Sequence, residues 1–172
     1  MTMSGRIVGF DPGLHLTGYG VLAVGSSRPA IVEAGVLRGN KSLSLAERVA
    51  KLHQAACELL DEHRPIAVAV EELFSHYERP RTAILMGHAR GVLLLAAGQR
   101  EIPVFHYLPT RVKKSMTGNG HASKDQMKQA VELEFKLTKA IEVADVADAL
   151  AVALCHYHAS RFDPKMVNSQ TA

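Results

Sequence analysis

Four acidic residues in this 172-residue chain fall where the local sequence calls for ordered backbone: Asp11, Glu71, Asp145 and Asp148. Asp11 closes a short apolar run, RIVGFD over 6–11, that stops at the turn pair Pro12-Gly13. Glu71 closes IAVAVE over 66–71, a continuous apolar run of the kind buried on both sheet faces. Asp145 and Asp148 are three residues apart at the start of an apolar helical segment, so both carboxylates face the same way. Each has a plain structural explanation. Asp11 suits a turn, Glu71 with Glu72 suits a solvated strand end, and the two aspartates suit a helix N-terminus. Brought together, four anions would repel one another, and burial would raise that cost. A bound cation removes it. A donor set of hard oxygens, without His-Cys chelate spacing, favours Mg²⁺ or Mn²⁺ over zinc. Two such ions about 3.5–4 Å apart activate a water and stabilise a leaving oxygen in phosphodiester hydrolysis. No Ser-His-Asp or Cys-His grouping competes, since His156 and His158 are two apart on a helix and point to different sides.

The elements that must position these acids follow from patterning. Strands are expected over 6–11, 17–24 and 30–37, with Gly25-Ser26-Ser27 as a hairpin connection, giving an antiparallel meander. Ser44 and Glu47 have capping-box spacing, and Leu45, Val49, Leu52, Ala56 and Leu59 form one apolar stripe on a helix that stops before Pro65. A fourth strand over 66–71 precedes a helix from about residue 82 to 100. That helix is apolar on several sides and carries Gly87 and Gly91 one turn apart, features that suit either a deep core or a second packing surface such as a partner subunit. A fifth strand over 104–108, a helix capped by Ser123 and Gln126, and a last helix over about 144–160 complete the chain, leaving a polar tail from 162 to 172. The expected fold class is α/β, a mixed five-stranded sheet flanked by helices on both faces, as one domain over 1–161. Right-handed crossovers place the fourth and fifth strands beside the first, so Asp11 and Glu71 share an address at the carboxyl ends of the strands.

Twenty Lys and Arg against seventeen Asp and Glu leave a formal charge of +3, a mild hint of an anionic partner. Arg111, Lys113, Lys114, Lys124 and Lys128 concentrate positive charge in one glycine-containing region, a pattern that suits phosphate tracking as well as a solvated face. Phe74 and Tyr77 stand in a polar loop just after Glu71, where they can stack on unpaired bases or anchor the loop. Cys57 and Cys155 are far apart within apolar helical patterns, which favours free thiols in a reducing compartment. The amino terminus has no apolar leader, and the setting expected is the cytosol.

Gly9-Phe-Asp-Pro-Gly13 with Thr17-Gly-Tyr-Gly20, Val70-Glu-Glu-Leu-Phe74, Gly87-His-Ala-Arg-Gly91, Val112-Lys113, Gly118-Asn-Gly120, Ser123-Lys124 and Ala144-Asp-Val-Ala-Asp-Ala-Leu-Ala151 resemble, in order and spacing, the RuvC-type Holliday junction resolvases. The resemblance covers about residues 6–158. It implies an RNase H-like fold, a homodimer that cuts four-way DNA junctions in recombination and repair, and a junction-migration complex, RuvA–RuvB, as a partner. It also implies that Asp11, Glu71, Asp145 and Asp148 are the metal-binding catalytic carboxylates, that Phe74 acts at the junction core, and that Lys113 and Lys124 lie near the cut phosphate. Asp148 stands where parts of the family have histidine. Three other readings compete. An RNase H-like nuclease of the pre-ribosomal RNA type shares the fold. An actin-like ATPase would need a second lobe that 172 residues cannot supply. A nonenzymatic nucleic-acid-binding module would not need four acids beside a phosphate.

Overall fold

The computed structural model describes residues 4–25, 28–73 and 80–162. Apolar alternation at the start of the chain produces β1 (Gly5–Asp11), β2 (Leu16–Val24) and β3 (Ala30–Arg38), paired as an antiparallel meander. Ser26 and Ser27 of the expected hairpin connection lie outside the described residues. Helix α1 (Leu45–His63) opens on the expected capping box: the Ser44 N–H donates to Glu47 Oε2 at 2.8 Å, and the Glu47 N–H donates to Ser44 Oγ at 3.3 Å. Its buried stripe runs through Leu52, Ala56 and Leu59, but begins later than the pattern suggests, because Leu45 in the first turn is exposed. The helix ends at Arg64, in the left-handed conformation (φ 43°), ahead of Pro65.

Strand β4 (Ala67–Glu71) pairs parallel with β1, and β5 (Val104–Tyr107) pairs parallel with β4, giving the order β3-β2-β1-β4-β5. The fourth strand therefore lies against the first, with the fifth one position further out. Between them runs α2 (Pro80–Gly98), followed by α3 (Pro109–Thr117), α4 (Lys124–Glu134) and α5 (Ala144–Phe162). Strand alternation divides the core in two. Val8, Phe10, Val68 and Val70 pack against α1 and α2, while Ile7, Leu22, Ala67, Ala69 and Phe105 pack against α4 and α5. The expected mixed sheet with helices on both faces is the fold observed.

Helix α3 was not foreseen. Its sequence buries only Val112, so no apolar periodicity announces it; Pro109 in its first turn and Gly118 at its C-cap (φ 76°) set its ends. Among the described residues, helix α2 packs on one front only. Ala89, Leu93, Ala96 and Ala97 are buried, whereas Ile84 and Leu95 are 63% and 51% exposed, and no atom lies close to where a Gly91 side chain would begin. No helix among the described residues is long and apolar enough to cross a membrane.

Candidate active site

Parallel pairing of β1 and β4, in register through Phe10 and Val70, brings Asp11 and Glu71 to the same end of the sheet. Both share strand parity with the residues that face α5. That helix lies on β1 and β2 across a track of glycines. A Cβ at Gly9 would collide with the Ala149 carbonyl, one at Gly18 with the Asp145 carbonyl, and one at Gly20 would come within 2.6 Å of Leu150 Cδ2. Gly18 is opposite Asp11 in the β1–β2 register. Without side chains there, the first turn of α5 descends onto the sheet and carries Asp145 and Asp148 to the two strand-end acids.

Asp11, Glu71, Asp145 and Asp148 line one cavity of about 450 Å³, together with Met86 of α2, Val112 and Lys113 of α3, and Lys124 and Met127 of α4. The acids are half-buried. Burial, and then the charges of Asp148, Glu71 and Asp145, push the Asp11 carboxyl up to about 8, with a hydrogen bond to Asp145 adding to the effect. Glu71 is raised to about 7, mainly by burial and by Asp148, against the opposing pull of Lys113 and Lys124. Asp148 is raised by burial and by Asp145, again moderated by Lys124 and Lys113. The site is thus a concentrated acidic pocket with two lysines at its wall. Its donors toward a cation are all carboxylate oxygens, the set that suits a hard divalent ion.

The other expected contacts are distributed differently. Phe74 and Tyr77 lie outside the described residues. Arg111 sits 5.2 Å from the Tyr107 ring centroid and lines a separate cleft with Ser115, Cys155 and His158. Lys114 is exposed on α3, and Lys128 lies 3.9 Å from Glu132 on α4. None of these three lysine and arginine side chains lines the acidic cavity. Met86 was not foreseen as a cavity residue, and nothing in an apolar helical run distinguishes it.

The tightest grouping of potential ligand atoms among the described residues lies elsewhere, at Glu33, Glu62 and His63, within 4.8 Å of one another. Hydrogen bonds already occupy two of its members, Glu33 and His63. Arg6 donates to His63 Nδ1 at 3.0 Å, so Nε2 carries the hydrogen and donates to Glu33 Oε2 at 2.9 Å, while Tyr19 donates to Glu33 Oε1 at 2.6 Å. The network ties β3 to the end of α1.

A family model described as crossover junction endodeoxyribonuclease RuvC matches residues 7–156. The protein of that name from Rhodopirellula baltica is 52% identical over 155 residues, covering 90% of this chain and 87% of its own. Its counterpart from Hydrogenovibrio crunogenus is 41% identical over 96% of both chains. Among solved structures, T. thermophilus RuvC in complex with Holliday junction substrate matches with a TM-score of 0.85 at 36% identity, over 92% of this chain and 96% of that one. The yeast mitochondrial Holliday junction resolvase Ydc2 matches at a TM-score of 0.65 and 12% identity, a likeness of fold alone. The architecture is RNase H-like.

Proposed function

The chain belongs to the RuvC family of crossover junction endodeoxyribonucleases, and from that premise we propose that it resolves four-way DNA junctions by paired, symmetric nicks at the acidic cavity, in recombination and repair. The observation that carries this reading is the convergence of Asp11, Glu71, Asp145 and Asp148 with Lys113 and Lys124 on one pocket. Unmetallated, those acids would repel a phosphate. With cations they form a phosphodiester-cleaving site.

Asp11, Glu71, Asp145 and Asp148 would hold two Mg²⁺, with Mn²⁺ able to substitute. The fit rests on the all-oxygen donor set and on like charges that burial forces together. Bound there, the ions supply Lewis-acid polarisation of the phosphate and a water acidic enough to attack at neutral pH. The protein's own part is positional and electrostatic. Asp11 and Glu71 must shed their protons to serve as ligands. Lys113 and Lys124 neutralise charge that develops on the scissile phosphate. In-line attack of water would form the new P–O bond as the P–O3′ bond breaks, leaving a 5′-phosphate and a 3′-hydroxyl. Phe74 and Tyr77 stand three and six residues after Glu71 in the chain and would contact bases at the junction core; Arg111, Lys114 and Lys128 would contact phosphates farther out.

Two opposed cuts need two sites, hence a two-fold homodimer. The exposed face of α2 supports this assignment: Ile84, His88, Gly91 and Leu95 follow one another at helical spacing, and its glycine allows close approach. The setting would be the cytoplasm, with a RuvA–RuvB junction-migration complex delivering the substrate. A digest of a synthetic four-way junction, a linear duplex and a structured RNA, each with Mg²⁺, tests the reading. Symmetric nicks confined to the junction support it. Preferential cutting of RNA would assign the site to the pre-ribosomal RNA type instead.

A further inference from the structure

A second basic surface adjoins the catalytic cavity on the side away from Lys113 and Lys124. Gly13, in the turn after Asp11, lines both that cavity and a neighbouring shallow cleft. The cleft is bordered by Leu14, Arg38, Gly39, Arg48 and Lys51, and no Asp or Glu lines it. Topology explains how these residues meet. The antiparallel meander returns the end of β3 to the end of β1, with Leu16 opposite Arg38, and α1 begins at that same end. At about 4.8 Å per strand, Arg38 stands roughly 10 Å across the sheet from the catalytic strand.

The charge there is only lightly opposed, since Glu47, one turn before Lys51 on α1, is the acid that feels it. Arg38, Lys41 and Lys51 are exposed, and none of them, nor Arg48, is held in an ion pair among the described residues. The nearest acid along α1, Glu47, is engaged by its capping box with Ser44. His15 at the rim registers the local potential: after burial, Arg48 and Lys41 depress its pKa. Arg48 has a framework duty as well, donating to the Leu14 carbonyl at 3.4 Å and to His15 Nδ1 at 2.8 Å.

We propose that Arg38, Lys41 and Lys51, arrayed around the Arg48-braced turn, form a phosphate-binding strip that seats a duplex arm beside the cleavage pocket. The inference rests on the junction-cutting reading and adds to it the surface that holds the arm. Cations flanking both sides of the acidic pocket would grip backbone on either side of the cut, offsetting the repulsion that the pocket itself presents to DNA.

The test uses the full chain and a synthetic four-way junction in Ca²⁺, with anisotropy measured across a KCl series. The triple variant Arg38→Gln/Lys41→Gln/Lys51→Gln leaves Arg48 and its hydrogen bonds in place. It is expected to bind on the order of tenfold more weakly near physiological salt, with a salt slope shallower by about 2–3, since each lost phosphate contact removes about 0.9. Arg64→Asn, at the opposite end of α1, should leave the slope unchanged. An unaltered slope and affinity in the triple variant, while wild type binds the junction, overturns the strip and leaves the proposed activity standing. Failure of wild type to bind any junction overturns both.

Discussion

Asp11 and Asp145, one closing β1 and the other in the first turn of α5, line the same cavity, and the charge of Asp145 helps to raise the Asp11 pKa. Burial comes first among the causes, followed by the charges of Asp148, Glu71 and Asp145, and together they raise the Asp11 pKa to about 8. The metal-free pocket is therefore partly protonated at neutral pH.

Cation binding must displace those protons. With Asp11 near 8 and Glu71 near 7, Mg²⁺ or Mn²⁺ binding at pH 7 should release between about one and two protons per site, and affinity should climb between about pH 6 and 8.5. Calorimetry in two buffers of different ionisation enthalpy reads the proton count. Asp11→Asn should release about one proton fewer.

The same shifts make stability depend on pH in the absence of metal. Because folding raises the Asp11 pKa from 3.8 to about 8, the folded state binds more protons throughout that window, and stability falls as pH rises through it. Melting of the metal-free protein should drop between pH 5 and 8. Asp11→Asn should flatten that decline and melt above wild type at pH 8, and saturating Mg²⁺ should narrow the gap. His156 acts with the opposite sign. Buried and lowered to about 4 from 6.5, it costs stability as pH falls below 6.5, because the unfolded state then takes up the proton first.

The glycine track predicts a steric effect. Gly9→Ala or Gly18→Ala sets a methyl against the α5 backbone, and backbone cannot turn aside as a side-chain tip can. A cost of about 3 kcal/mol or more is expected, roughly 6–12 °C in melting temperature for a chain of this size. Gly98→Ala, at the end of α2 and with nothing within 4 Å among the described residues, should melt close to wild type.

Much of this was legible before the structure. The runs ending at Asp11 and Glu71, the meander and the i, i+3 aspartates all follow from alternation and spacing, which the backbone obeys locally. What the glycines accommodate was not legible, because an absent side chain carries no sign of its neighbour. Helix α3 was missed since it buries so little, although it delivers Lys113 to the cavity. The Arg38–Lys51 surface was missed because its members come from a strand end, a turn and a helix, never from one run. Met86 reads in sequence as ordinary core.

The exposed face of α2 tests assembly. Leu95→Glu places a charge where an apolar two-fold contact is proposed, and Leu95 is exposed enough that the fold should tolerate it. Sedimentation should show a shift toward monomer, with paired nicking of junctions replaced by slow, uncoordinated single nicks. An unchanged dimer would move the interface elsewhere.

Lys113→Ala and Lys124→Ala should each lower kcat by about 10²-fold, with arginine at either position restoring part of it, since both cations line the acidic cavity. Single-turnover cleavage separates this loss from weaker binding.

Single-turnover nicking of a synthetic four-way junction by Asp11→Asn, with binding measured in parallel in Ca²⁺, bears most directly on the role of the acidic pocket. The expected result is cleavage reduced by a factor of about 10² or more with junction affinity near that of wild type. A variant that still nicks at the wild-type rate would mean that Asp11 and its neighbours do not perform the chemistry.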